Sequence, residues 1–191
     1  LIIHKINTIA ELNKIPREYG CEIDIRTNGS KIILNHDPFK KGDAFIDYLD
    51  EYKNGTLVLN IKESGIEDLV LEEVRKRDIK SFFLLDVEFP YIYSSSKRKE
   101  KNIAVRFSEK EPIQNAIIFK DKLKWIWIDT ITSLPLNQNI IDEIKGFKTC
   151  LVCPERWGRP SDIERYRITL KNLCFTPDAV MTNISYAKYW Q

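Results

Sequence analysis

The sequence lacks several features that would assign a chain to a well-known class of protein at once. Only two of its 191 residues are histidine, one is methionine and seven are glycine. No apolar run approaches the roughly 20 residues that a membrane-spanning helix needs, so we expect no transmembrane segment. No secretory signal pattern opens the sequence as given, and a cytoplasmic location is therefore predicted.

Net charge is also small. The chain carries 30 basic and 28 acidic side chains, for a formal charge of +2. A nucleic-acid binder would need a clustered basic patch, and the only dense basic stretch, residues 97–101, is typical of a helix end or a loop. We therefore expect no nucleic-acid partner, and the oligomeric state stays open.

The four cysteines do not indicate a metal or redox site. Cys150 and Cys153 have CxxC spacing but lie in an apolar, strand-like run. A zinc site would need a second pair, and a redox CxxC should open a helix, whereas Pro154 follows this one. Buried, reduced thiols are the prediction.

Apolar segments that are typical of strands alternate with amphipathic segments along the whole chain. The eight predicted strands are Ile2–His4, Cys21–Arg26, Thr56–Lys62, Ser81–Asp86, Ile103–Ser108, Trp125–Asp129, Cys150–Cys153 and Ala179–Thr182. Helical patterns cover residues 44–52, 66–77 and 140–144, and another helix begins near Ser161. This alternation predicts one α/β domain over residues 1–191, a compact (β/α)8 TIM-type barrel. A doubly wound open sheet is the rival, although no glycine-rich loop follows the first strand.

Acidic and imidazole side chains follow the first strands. Glu22 and Asp24 have the spacing that places both on one face of a strand, where two carboxylates suit a hard cation. A solvated strand edge or a structural ion pair is the alternative explanation. The two histidines, His4 and His36, suit proton transfer near neutral pH, so a phosphodiester-cleaving site is the leading hypothesis.

The position of His36 depends on a hairpin. Asn28-Gly29 is a strong turn signal that would fold 31–35 back along the second strand. A plain two-residue turn would pair His36 with position 21, and a one-residue bulge would pair it with Glu22 on the acidic face. The sequence leaves this register open.

Other polar residues stand at predicted strand ends. Asn60 and Lys62 share a face, and a lysine there either neutralises a phosphate or a carboxylate, or extends into solvent. Asp129 shares a face with two tryptophans, for which packing is the favoured explanation. Asp86 and Glu155 are weaker candidates because each follows a predicted strand without a further motif.

These motifs together resemble the glycerophosphodiester phosphodiesterase family. That family carries His-Arg on its first strand, Glu-x-Asp on the second, His-Asp after a hairpin and Glu-x-Lys on the third. The residues that match here are His4-Lys5, Glu22-Ile23-Asp24, His36-Asp37 and Asn60-Ile61-Lys62.

The resemblance implies a phosphoric diester hydrolase or a phosphodiester lyase. Glu22, Asp24 and Asn60 would hold Mg²⁺ or Ca²⁺, while Lys5 and Lys62 would bind phosphate. His4 and His36 would be the catalytic base and acid, and the reaction would pass through a cyclic phosphate that is released or hydrolysed. The implied partner is a small-molecule or lipid-head-group phosphodiester.

The sequence departs from the family pattern in three respects. Lys5 replaces an arginine, Asn60 replaces an acidic metal ligand, and the segment between His36 and Thr56 is too short for the family's insertion, as in shorter lyase-like relatives. The first two departures favour an alternative function, a non-catalytic barrel that binds phosphorylated glycans or lipid head groups. Unrelated barrel chemistry is a third option.

Overall fold

A computed structural model describes all 191 residues, which alternate between strands and helices as expected. The ten strands are β1 Ile2–Ile3, β2 Gly20–Asn28, β3 Lys31–Leu34, β4 Asp43–Ala44, β5 Leu57–Ile61, β6 Phe82–Leu85, β7 Ala104–Phe107, β8 Trp125–Ile128, β9 Lys148–Val152 and β10 Ala179–Thr182. The seven α-helices are α1 Ile9–Leu12, α2 Phe45–Glu51, α3 Glu67–Lys76, α4 Phe89–Lys97, α5 Gln114–Ile117, α6 Gln138–Glu143 and α7 Asp162–Asn172. Two 3-10 helices cover Pro154–Trp157 and Ile184–Tyr189. All eight predicted strands are present, each within two residues of its expected ends.

The chain divides into two compact units, residues 2–91 and residues 92–191 together with Leu1. The mixed α/β class is confirmed. Within each unit the strands form an open sheet, so closure into an eight-stranded barrel stays a prediction. The extent of the domain, residues 1–191, also stays a prediction. No helix has the length and apolar character needed to cross a bilayer.

In the first unit, β2 is the central strand. It pairs in parallel with β1 near its start and with β5 along most of its length, and β5 pairs in parallel with β6. The parallel register places Glu22 beside Val58 and Asp24 beside Asn60. Residues that pair across two neighbouring strands point to the same face of the sheet, whereas successive residues along one strand alternate. Glu22, Asp24 and Asn60 therefore lie together on one face.

The start of β2 lies very close to the chain before β5, and glycine permits this approach. A Cβ added at Gly20 would collide with the carbonyl oxygen of Thr56. The backbone of β2 accordingly donates from Cys21 to that same oxygen at 3.1 Å. Glycine at position 20 thus permits the close approach of the two chains just before β2 and β5 begin to pair.

A hairpin extends β2 beyond the parallel sheet. Antiparallel pairing runs from Asn28 opposite Lys31 to Ile25 opposite Leu34, with Gly29 at a φ of 63° in the turn. The turn therefore comprises Gly29 and Ser30, one residue later than the sequence signal indicated. This register extends to Asn35, whose backbone N–H donates to the carbonyl oxygen of Asp24 at 3.0 Å.

The helices of the first unit bury one apolar face each. In α3 the buried side chains include Val70, Leu71 and Val74, which recur at helical spacing. Acidic residues open this helix and Arg75 and Lys76 end it, an arrangement that the helix dipole favours.

The second unit contains four parallel strands in the order β7-β8-β9-β10. Cys150 and Cys153 are buried and free, as is Cys21, which confirms the prediction of reduced core thiols for these three. Cys174 is also free, but it is exposed, so the prediction of burial is wrong for this cysteine. The basic run 97–101 ends α4 and continues into the following loop, as expected.

Candidate functional site

The acidic pair lies in the interior of the first unit. Glu22 is 1% exposed, Asp24 is 2% exposed, and the neighbouring Asn60 is 7% exposed. A solvated strand edge is therefore excluded as an explanation for the two carboxylates. Burying two acids is costly unless bonds or charges compensate, so their partners decide what the cluster does.

Glu22 accepts a hydrogen bond at each carboxylate oxygen. The side-chain amide of Asn60 donates to Oε1 at 2.8 Å, and the backbone N–H of Lys5 donates to Oε2 at 2.8 Å. His4 Nε2 lies 3.7 Å from the same Oε2. Lys5 reaches this position with a φ of 57°, a left-handed conformation that is strained for a residue with a side chain.

Asp24 is held from two directions. Asn7 makes a reciprocal pair of bonds with it: Asn7 Nδ2 donates to Asp24 Oδ2 at 2.8 Å, and the Asp24 backbone N–H donates to Asn7 Oδ1 at 2.8 Å. Lys62 Nζ lies 3.5 Å from Asp24 Oδ1 and 3.2 Å from Asp86 Oδ2. The structure therefore brings Lys62 to the acidic pair instead of leaving it extended into solvent.

Burial and charge shift the ionisation of Glu22. Desolvation, followed by repulsion from Asp24, raises the pKa of Glu22 from 4.5 to about 7. The bonds from Asn60 and Lys5 and the charge of Lys62 act in the opposite direction but do not cancel the shift. Near neutral pH this carboxyl is thus close to the balance between its protonated and ionised forms.

The donor set of the cluster is compatible with a hard divalent cation. Carboxylate and amide oxygens are the ligands that Mg²⁺ and Ca²⁺ take, and Glu22, Asp24 and Asn60 supply them from adjacent strands. Asn60 Oδ1 is buried and has no hydrogen-bond partner, so one oxygen of the set is uncommitted. No group of three or more His, Cys, Asp or Glu side chains is arranged to hold a metal, so the third protein ligand would be this amide oxygen.

His36 occupies a more peripheral position than the acidic pair. Its side chain is 52% exposed, and Nδ1 lies 2.9 Å from Asp37 Oδ1. This hydrogen bond lowers the pKa of Asp37. The hairpin register places Asn35, not His36, opposite Asp24, so neither of the two registers considered from the sequence is formed.

The His36 segment is nevertheless tied to the strand end that carries Lys62. Arg26 Nε donates to the His36 carbonyl oxygen at 2.9 Å, and Arg26 Nη1 donates to the Lys62 carbonyl oxygen at 2.8 Å. His36 and Lys5 both line a cavity of about 570 Å³ beside the cluster. Of the seven predicted site residues, six are thus gathered by direct contacts, and His36 is connected through this cavity.

Two further residues, Asn7 and Asp86, contact the cluster, and neither of them was assigned to it from the sequence. Asn7 stands three residues after His4, but nothing in its spacing indicated that its amide would bond Asp24. Asp86 was noted only as an acid after a strand, whereas its carboxylate forms an ion pair with Lys62. The backbone of Asp86 has a φ of 57°. Its left-handed backbone is the kind of strained geometry that clusters at functional sites.

Two acids of the second unit, Asp129 and Glu155, accept hydrogen bonds from neighbouring strands and loops. Asp129 accepts from Arg106 at 2.7 Å and from the indole N–H of Trp157 at 2.7 Å. Glu155 accepts from Thr182 and from the backbone of Asn183. Trp125 and Trp127 are buried, which agrees with the packing interpretation of that strand.

Comparisons with known proteins agree with this fold. A solved structure from Agrobacterium tumefaciens strain C58, of a protein inferred to be a glycerophosphoryl diester phosphodiesterase, superposes with a TM-score of 0.68. The likeness covers 99% of this chain and 95% of that one at 11% sequence identity. No protein-family model matches the chain, and no curated protein matches it in sequence. The resemblance seen in the sequence motifs is therefore matched by a resemblance in fold.

Proposed function

We propose that the protein is a metal-dependent phosphodiesterase that cleaves a glycerophosphodiester-like substrate by histidine acid–base catalysis. The observation that carries the proposal is the buried cluster of Glu22, Asp24 and Asn60 at adjoining strands, with His4 and Lys62 in contact with it. Acids buried within a parallel strand are costly for stability, and such charges concentrate at functional sites. The fold likeness to a protein inferred to act on glycerophosphoryl diesters supports the same conclusion.

Glu22, Asp24 and Asn60 would hold the cation, Mg²⁺ or Ca²⁺, through one oxygen or more each. When bound, the cation supplies positive charge that stabilises the developing charge on the phosphate. Asn7 keeps the Asp24 carboxylate in one orientation through its two bonds, and the Lys5 backbone does the same for Glu22.

Two lysines would bind the phosphate of the substrate. Lys62 lies between Asp24 and Asp86, which fix the position of its ammonium group. Lys5 follows His4 directly and lines the cavity, so its side chain is available to a ligand there. Both ammonium groups offset phosphate charge as point charges.

The two histidines would move the protons. His4, beside Glu22 Oε2, is placed to accept the proton of a hydroxyl vicinal to the phosphoester, because the nearby carboxylate favours the imidazolium that forms. His36, exposed at the cavity and paired with Asp37, would protonate the leaving alcohol. The product would be a cyclic phosphate, which is either released or opened by water.

Phosphorus NMR of glycerophosphodiesters and lysophospholipids, incubated with the protein and Mg²⁺ or Ca²⁺, tests the proposal. Cyclic and open phosphate products have separate chemical shifts, so the spectrum also distinguishes a lyase from a hydrolase. We expect turnover of at least one diester and none in excess chelator. Binding of these compounds without any turnover would replace the proposal with the non-catalytic function, which the replacement of an acidic ligand by Asn60 favours.

A further inference from the structure

The peptide bond between His36 and Asp37 is held on both of its sides. Its N–H, which belongs to Asp37, donates to the side-chain oxygen of Asn35 at 2.8 Å. Its carbonyl oxygen, which belongs to His36, accepts from Arg26 Nε at 2.9 Å. The imidazole leaves the chain directly beside this peptide, so bonds that fix the peptide plane also restrict where the ring can lie.

Arg26 joins this peptide to the strand end that carries Lys62. It follows Glu22 and Asp24 at the period-2 spacing of β2, so its side chain starts from the face that carries the two acids. Arg26 Nη1 donates to the Lys62 carbonyl oxygen at 2.8 Å, while Nε of the same group donates to His36. Because a guanidinium is planar and rigid, it sets the distance between its two acceptors.

The ladder of the hairpin ends before His36. The last backbone bond to β2 comes from Asn35, one residue earlier. The His36 side chain is 52% exposed, and Asp37, to which it is bonded, belongs to the same loop. Among the hydrogen bonds of His36, the one from Arg26 is therefore the bond that reaches the strands of the cluster.

We propose that Arg26 is a positioning residue that holds His36 at a fixed distance from the acidic cluster. The consequence for catalysis rests on the proposed function, in which His36 protonates the leaving alcohol. Proton transfer depends on placement, and a displacement of about 1 Å can lower a rate about a hundredfold. Arg26 does not line the cavity, and two of its N–H groups are engaged by carbonyl oxygens, which favours positioning over contact with the substrate.

Two substrates with different leaving groups test the role. Glycerophosphocholine has an alkyl leaving group that needs a proton, whereas its p-nitrophenyl analogue releases a stable anion that does not. With Mg²⁺ or Ca²⁺ present, Arg26→Met should lower kcat about 10- to 100-fold for the alkyl substrate and less than about twofold for the p-nitrophenyl one. His36→Ala should show the same selectivity, and Arg26→Met should add no further loss to it. Equal losses on both substrates would overturn the role.

Two other variants separate position from charge and from general loosening. Arg26→Lys keeps the charge, but one ammonium group cannot span both carbonyl oxygens as the fork does, so its selective loss should be intermediate. Thr27 also joins β2 to the segment after β5, since its Oγ1 donates to the Glu63 carboxylate at 2.8 Å. Thr27→Val removes this bond without touching His36 and should keep the wild-type ratio of the two rates. Melting temperatures establish that each variant is folded.

Backbone ¹⁵N relaxation measures the placement without turnover. The order parameter of the His36 N–H should be near that of rigid backbone, about 0.85, in the wild type and in Thr27→Val, and below about 0.6 in Arg26→Met. If it falls in this way but the wild type cleaves no diester, Arg26 still positions His36 and the phosphodiesterase function fails. If diesters are cleaved but folded Arg26→Met changes neither the order parameter nor the ratio of the two rates, the positioning role is overturned and the function stands.

Discussion

Replacing Glu22 by glutamine should make the metal-free protein more stable at pH 8. The carboxyl has a pKa of about 7 in the folded chain against an ordinary 4.5, because it is buried beside Asp24. A carboxyl with a raised folded pKa binds more protons when folded, so its contribution to stability is full below pH 4.5 and is lost as the pH rises through 7. The difference between a pKa of 4.5 and one of about 7 corresponds to about 3 kcal/mol of unfolding free energy lost between pH 4 and pH 8.

Glutamine can keep the hydrogen bonds of the site while removing the charge. Its amide oxygen would accept from the Lys5 backbone N–H, and its amide N–H would donate to Asn60 Oδ1 after rotation of that side chain. The rotation pairs Asn60 Oδ1, which has no partner at present, but takes Asn60 Nδ2 away from its present acceptor, so Asn60 has one unpaired buried atom before and after the exchange. The variant should therefore show no compensating loss of more than about 1 kcal/mol from unpaired groups.

Urea unfolding in excess chelator, at intervals from pH 5 to pH 8, measures the effect. The difference in unfolding free energy between Glu22→Gln and wild type should grow with pH and approach about 3 kcal/mol at pH 8. Glu51→Gln changes an exposed glutamate at the end of α2 and is the control for loss of a carboxylate in water. A Glu22→Gln difference that is the same at pH 5 and pH 8 would refute the reasoning.

Three further predictions concern the cation, the histidines and the thiols. Asn60→Glu should tighten Mg²⁺ or Ca²⁺ binding in calorimetry, because it adds a negative ligand; unchanged affinity would remove Asn60 from the metal shell. His4→Ala and His36→Ala should each lower kcat by roughly 10²–10⁴-fold with the fold retained, and the double variant should lose less than the product. A folded His36→Ala protein with normal turnover would end its assignment as a catalytic residue. In the native protein a thiol reagent should label exposed Cys174 and spare Cys21, since burial also raises the pKa of Cys21 to about 12.

Eight of the ten strands could be predicted from sequence, because their apolar runs and the acids within β2 are local signals, whereas the two-residue β4 has no such signal. Glu22, Asp24 and Asn60 followed from the period-2 alternation of strands, and the parallel register then placed Asp24 beside Asn60. The mixed α/β class could be predicted because strand and helix segments alternate along the whole chain, a pattern that does not depend on any single residue.

The position of His36 could not be predicted in the same way. A shift of the turn by one residue, to Gly29 and Ser30, moves Asn35 opposite Asp24 and leaves His36 beyond the last strand pair. The roles of Asn7 and Asp86 depend on side-chain contacts between segments that are 17 and 24 residues apart in sequence from their partners. Such contacts leave no periodic signal in the chain.

Turnover of a glycerophosphodiester by chelator-stripped protein, before and after addition of Mg²⁺ or Ca²⁺, tests the central claim most directly. Asp24→Asn belongs in the same assay, because it keeps an oxygen for the Asn7 amide but removes the charge. We predict no turnover without the cation, restored turnover with it, and at least a roughly hundredfold loss in the variant, the scale of a lost charge-stabilising group. Equal turnover in chelator and in cation, or normal turnover by Asp24→Asn, would contradict the account.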